Sequence, residues 1–398
     1  MVLEREMEEE DEDEEEAMLK KAEEKAEEGE SNSNSNDASS WSRKMMVEET
    51  ARRLKSGDLR AKIEAARDVR KLVRKSSSSN SKSAVRGRFA SAGAIEPLVS
   101  MLHSSMPLAA REAALLALLN LAARNQRNKI KIVAAGAVPP LVELLKNLTG
   151  NLRELAAAAI LSLSSIPSNK PTISASGAAP LLVQILCSGS VQGKVDSITA
   201  LYYLSTCEEG PKLALDAKAV PPLIDLLKES KKYSKFAEKT TFLLEIFSAS
   251  EEGRTAITGV EGGILALVET IEDGSLVSMS HAVGALLSLC QSCRDKYREL
   301  ILKEGAIPGL LRLTAEGTPT AQDRARTLLD MLRDSPPEER LTSSELERIV
   351  YNFAANVDGK DKAVETAKKL LQGMVQKSMD LSLSRTKLRT SPRASTKT

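Results

Sequence analysis

Apolar positions recur at helical spacing through most of the chain, in short runs punctuated by glycine and proline. The stretch from Asn128 onward shows how one such block divides. Ile130, Val133 and Ala134 fall on one side of a short helix. Gly136 follows where a helix C-terminus favours a residue free to take positive φ. Pro139 and Pro140 open a second helix, at positions where a missing N–H costs nothing. Leu141, Val142, Leu144 and Leu145 give that helix its apolar stripe. "NLTGN" breaks the chain, and "LRELAAAAILSLSS" is a third helix, rich enough in alanine for neighbours to approach closely. The pattern predicts three helices in this block and no strand.

The block is one copy of several. "SAGAIEPLVSML", "AAGAVPPLVELLK", "SASGAAPLLVQIL", "DAKAVPPLIDLLK" and "KEGAIPGLLRL" repeat the same turn and second helix. Its reference positions are Gly93, Gly136, Gly177, Lys218, Gly262 and Gly305, separated by 43, 41, 41, 44 and 43 residues. A period in the low forties marks stacked helical repeats of the armadillo or HEAT kind. One unit cannot bury its apolar face alone, so the units stack and share a core. Ahead of Gly93, two amphipathic helices around a Gly57-Asp58 turn predict the last two helices of a partial unit. The organisation expected is therefore an array over residues 41–335, of one partial and six full repeats. Residues 336–380 are expected to form a closing helical pair, entered through Pro336 and Pro337 and a Ser344/Glu347 capping box.

Composition narrows the picture further. Of 398 residues, 42% are hydrophobic and only eleven aromatic, so the core is expected to consist of Leu, Ala, Val and Ile. No apolar run reaches the ~18 residues of a membrane span. The amino terminus is acidic where a signal peptide would be basic and then apolar. Four cysteines suit a reducing compartment, and the expected location is the cytosol, the nucleus or both.

A net charge of +1 hides an asymmetry: residues 1–30 hold 16 acidic and four basic side chains. Residues 1–40 are expected to be a disordered acidic tail, either solubilising or able to bind a basic surface. Residues 381–398, with five basic and no acidic side chains, are expected to be a disordered basic tail. "SSSSNSKS" (Ser76 to Ser83) interrupts the first repeat, as a kinase target or as a plain insertion loop.

The succession "REAALLALLNLAARNQRNKIKIVAAGAVPPLVELL", "NLRELAAAAILSLSSIPSNKPTISASGAAPLLVQIL", "EEGPKLALDAKAVPPLIDLL" and "AEGTPTAQDRARTLLDMLRD" resembles the armadillo array of plant U-box/armadillo proteins. The resemblance covers residues 45–335. It implies an all-α, right-handed superhelix that binds proteins, often kinases or ubiquitination substrates, in its concave groove. In that family a separate U-box recruits the ubiquitin-conjugating enzyme. Here no cysteine precedes Cys187 and residues 1–40 are polar and of low complexity, so a U-box and its ligase activity are not expected.

Catalytic chemistry finds little support in the residues. His103 and His281 are the only histidines, and neither sits in a nucleophile-base-carboxylate pattern. No phosphate-binding glycine loop is present. Cys290 and Cys293 form a lone CxxC, which a metal would have to supplement with two further ligands. They are read, with Cys187 and Cys207, as core residues. The expectation is a non-enzyme with no catalytic residue, cofactor or metal.

Candidate binding residues come from aligning the third helices. In importin-α and β-catenin an asparagine on each third helix hydrogen-bonds the backbone of an extended ligand. The equivalent row here is Lys71, Asn120, Ser162, Tyr203, Glu245, Ser288 and Asp330, with Asn120 alone keeping the asparagine. One and two turns earlier lie Asp196, Glu238 and Asp323, while Arg67 and Arg111 lie toward the amino-terminal end. This predicts a groove whose carboxy-terminal half is acidic, with the chain's own Arg385, Lys387, Arg389 and Arg393 as a candidate ligand. Nucleic acid is disfavoured, because aromatics are few and the basic residues 41–88 are interleaved with acidic ones. The expected protein is a monomeric, non-enzymatic scaffold or adaptor. The alternative is a substrate-recognition component acting with a separate ubiquitin ligase.

Overall fold

The computed structural model describes residues 40–75, 79–146 and 151–333. The expected acidic and basic tails and the expected closing helical pair lie outside these residues. Among them every regular element is a helix. An opening pair, α1 (Ser40–Ser56) and α2 (Leu59–Arg74), turns at Gly57 and Asp58, and the Asp58 carboxylate accepts a hydrogen bond from the Ala61 amide.

Three-helix groups follow in order. The first is α3 (Ser79–Ser91), α4 (Ile95–Ser100) and α5 (Leu108–Ala122), and the second α6 (Gln126–Ala134), α7 (Val138–Leu145) and α8 (Asn151–Ser164). A 3-10 turn, Pro167–Asn169, leads into the third, α9 (Lys170–Ser174), α10 (Ala178–Ser188) and α11 (Val191–Ser205). Then come α12 (Gly210–Asp216), α13 (Val220–Glu229) and α14 (Lys235–Ser248); α15 (Glu251–Gly259), α16 (Gly263–Asp273) and α17 (Leu276–Ser292); and α18 (Arg294–Lys303), α19 (Ile307–Glu316) and α20 (Pro319–Leu332). The Ser-rich stretch, expected to be a kinase target or an insertion loop, is helical from Ser79, which begins α3.

Backbone angles fix the repeat register. Gly93, Gly136, Gly177, Gly262 and Gly305 all have φ between 70° and 83°, and Lys218 at the equivalent point has φ 59°. Each closes a first helix and starts a second, the left-handed turn that glycine adopts without a Cβ penalty. At Gly136 a Cβ would meet nothing within 4 Å, so the requirement there is conformational and not steric.

The described residues fall into two compact units, divided between residues 222 and 223. In the first, the third helices α2, α5, α8 and α11 pack one on the next, and in the second α14, α17 and α20 do the same. The cores are aliphatic: Leu115, Leu121, Ile160 and Leu163 in the first unit, Leu243, Leu267, Leu286 and Leu310 in the second, are all close to fully buried.

On α5, α8, α11 and α14 a carbonyl near the C-terminal end of the third helix is closed off in one of two ways. The Asn128 amide donates to Leu121 O at 2.8 Å and Arg86 O at 3.2 Å. The Asn169 amide donates to Leu163 O at 3.0 Å and Lys129 O at 3.4 Å. At the next two equivalents the residue is glycine. A Cβ on Gly210 would overlap the Leu204 carbonyl oxygen, and one on Gly253 the Phe247 oxygen. Asparagine satisfies the carbonyl with a side chain, whereas glycine lets the next backbone close upon it. This corrects the face assigned to α6. Ile130 is 43% exposed and Ala134 is exposed, while Asn128, Lys129 and Ile132 face inward because Asn128 is bonded there.

Candidate functional site

The aligned row sits on the stacked third helices, but it is not an exposed row throughout. In the first unit Lys71 on α2 is exposed. Asn120 on α5 is buried, and its amide turns back to Leu116 O at 2.9 Å. Ser162 on α8 is buried at 2% exposure. Asp196 on α11 is equally buried and accepts a hydrogen bond from the Gln192 amide at 2.9 Å. Arg111 is buried with Nε on Leu102 O at 3.3 Å. These four side chains spend their polar atoms inside the fold, which corrects their placement as groove-facing ligands. Tyr203 is nearly buried, edge-on to Tyr202 with centroids 5.4 Å apart. The Lys170 ammonium lies 5.7 Å from the Tyr203 ring and donates to Thr206 Oγ1 at 2.7 Å.

The second unit holds a polar line that alignment did not foresee. Glu245 on α14 reaches across α17 to α20. Its Oε2 lies 2.6 Å from His281 Nδ1, and its Oε1 lies 2.8 Å from Arg324 Nη2. Arg324 Nη1 also donates to Ser280 O at 2.9 Å, and His281 stands edge-on to Phe242 at 5.2 Å. Gly284 makes the crossing possible, since a Cβ there would sit 2.5 Å from Glu245 Oε1 and 2.8 Å from Arg324 Nη1. The three side chains are 21%, 24% and 31% exposed, fixed yet open to solvent. The signal in the sequence was a glycine inside a third helix, one turn before the aligned row.

Other row residues of this unit are partnered too. Ser288 donates to Ser248 O at 2.8 Å. Glu238 accepts from Ser275 Oγ at 2.6 Å and pairs with Lys235 at 3.5 Å. Asp323 pairs with Arg326 at 2.9 Å and the exposed Asp330 with Arg333 at 3.4 Å. Glu238, Glu245, Asp323 and Asp330 each have a cation beside them, so the carboxylates expected to make this half of the groove acidic are compensated locally.

Ser275 is also the N-cap of α17, accepting from the Ser278 amide at 3.2 Å. The first unit repeats the device: Ser190 caps α11, and Glu154 on α8 accepts both its amide, at 2.9 Å, and its hydroxyl, at 2.7 Å. A carboxylate on one third helix thus pins the start of the next.

The cysteines are all free. Cys290 is buried, and desolvation pushes its thiol up to about 11 against the pull of Arg294 and Arg298. Cys293 and Cys187 are exposed and Cys207 is half-buried, so only Cys290 is the core residue expected. Cys293 sits in extended backbone between α17 and α18 and is exposed. Among the described residues no group of three or more His, Cys, Asp or Glu is placed to hold a metal, and no single helix is long and apolar enough to cross a membrane.

Repeated three-helix groups, the left-handed turn in each and the stacked third helices define an armadillo-repeat fold. The array is similar to that of plant U-box proteins. A family model described as plant U-box protein ARM repeat region matches residues 174–350, and one described as armadillo/β-catenin-like repeat matches residues 125–165. U-box domain-containing protein 45 of Arabidopsis thaliana is 30% identical over 246 residues, covering 61% of this chain and 31% of that protein. U-box domain-containing protein 8 of the same plant is 26% identical over 226 residues, covering 56% of this chain and 58% of that protein. The chain thus spans less than two thirds of either relative. The crystal structure of an engineered protein shares the fold at a TM-score of 0.61 and 23% identity, with 88% of this chain and 85% of that one covered.

Proposed function

We propose that this chain is a non-catalytic scaffold or adaptor that binds other proteins on its stacked third helices, working in the cytosol or the nucleus. The observation that carries the reading is the Glu245, His281 and Arg324 line, three half-exposed polar groups locked in place by packed helices. Side chains already held in one geometry lose little freedom on binding, which favours specific recognition of a partner surface. Kinases and ubiquitination substrates are the partner classes that the plant U-box resemblance brings forward. A second reading, favoured by the family match over residues 174–350, is substrate selection for a ubiquitin ligase supplied by another chain.

The test is quantitative mass spectrometry of proteins co-purifying with the full chain, its Glu245→Ala/Arg324→Ala variant and an Ile130→Ser control. A defined subset should fall by about tenfold, the loss of roughly 1.4 kcal/mol, in the first variant alone. An identical set for all three chains would overturn the proposal. Adding the chain to a separate ligase and one recovered partner then decides the second reading, which requires faster ubiquitin transfer to that partner.

A further inference from the structure

The first unit contains an open cleft of about 850 Å3 between α1, α3 and α6, away from the third-helix face. Its charged lining is Lys44, Arg88, Arg124, Arg127 and Lys131 against the single acid Glu48. Lys44, Arg88, Arg127 and Lys131 are exposed at its wall. The start of α6 also faces it, through Asn125 to Asn128, so the positive end of the helix dipole adds to the side-chain charge. A concave wall of one sign concentrates the field and selects an anionic occupant.

The complementary charge lies in the same chain. Residues 6–16 read "EMEEEDEDEEE", ten carboxylates in eleven residues. They precede Lys44, a residue of the cleft itself, by 28 positions counted from Glu16. Ser40 to Lys44 belong to α1, so the 23 residues between Glu16 and that helix would, as a random coil, span roughly 25 Å, sufficient to bring the carboxylates to the wall. The short connection also gives an effective concentration of about millimolar, above that of a free partner in dilute solution. We propose that residues 6–16 occupy this cleft intramolecularly, so that an acidic partner gains it only by displacing them. Chain connectivity favours this occupant over a second copy of the chain or a separate acidic protein. Glu48 limits the site to ligands with enough carboxylates to tolerate one repulsive neighbour.

Zero-length carbodiimide coupling of the full chain, read by mass spectrometry, tests the proposal. Carboxylates of residues 6–16 should couple to Lys44 and Lys131 in preference to the other lysines of residues 40–333 at low salt. The yield should fall about fivefold or more in 1 M salt, where the Debye length is ~3 Å. Arg88→Glu with Arg127→Glu leaves both lysines in place and alters two exposed side chains, and it should cause a similar fall while other couplings persist. Unchanged circular dichroism would show that the variant is folded. A mixture of heavy and light chains identifies the origin of each link. Links scattered over all lysines, yields unaffected by the variant, no tail links, or links predominantly between chains would each overturn the proposal.

Discussion

At Lys218 the fold accepts a lysine in a conformation that glycine adopts freely, with φ 59°. The left-handed region costs a non-glycine residue about 1–2 kcal/mol, and replacing it by glycine adds up to ~1 kcal/mol of chain entropy to the unfolded state. Lys218→Gly should therefore be neutral or stabilising by up to about 1 kcal/mol. Gly136→Val, at φ 82°, should destabilise by at least about 1 kcal/mol, with no steric clash to add to it. Urea titration of both variants checks the pair, and equal or reversed shifts would contradict the register. These turns were legible because a glycine before a proline-led apolar run is a local backbone requirement. The inward face of α6 was not. Periodicity counts apolar residues as inward, whereas Asn128 is buried by bonds to carbonyls of two other helices. Its recurrence at Asn169 was the available signal, and the same register continues as Gly210 and Gly253.

Between elements, the third helices are joined by side chains whose positions alignment could find but whose directions it could not. Glu238 aligned with the groove, yet it braces the N-cap Ser275 of the following helix. Glu245 aligned with the asparagine row, yet it bridges α14, α17 and α20 through the gap left by Gly284. Sequence position identifies a helix face, and only the packed neighbour decides whether a carboxylate meets solvent or another helix. A double-mutant cycle of Glu245→Ala and Arg324→Ala should give a coupling of about 0.5–1 kcal/mol, at the upper end for pairs with this exposure. Repeated with Gly284→Ala in the background, the coupling should vanish, because the added methyl occupies the crossing point. That substitution alone should change stability little, as alanine in a helix interior regains ~1 kcal/mol over glycine. A coupling that survives it, measured by chemical denaturation, would show that the glycine does not gate the bridge.

At the scale of the whole molecule, the repeat architecture was readable because one 41–44 residue spacing recurs across the chain and each unit needs its neighbours for burial. The distribution of charge was less readable, since counting residues reveals sign but not pairing. Asp323 and Glu245 count as two acids in the sequence and stand beside arginines in the fold. The proposed function requires that partners be held on the third-helix face. Hydroxyl-radical footprinting of the full chain, alone and with a partner recovered by co-purification, tests it most directly. Protection is predicted at half-buried, reactive side chains of third helices, at Tyr202 or at Phe242, Met279 and His281, while the exposed first-helix residues Ile130 and Leu300 keep their reactivity. Protection confined to Ile130, Leu300 and their neighbours, with the third-helix side chains unchanged, would contradict it.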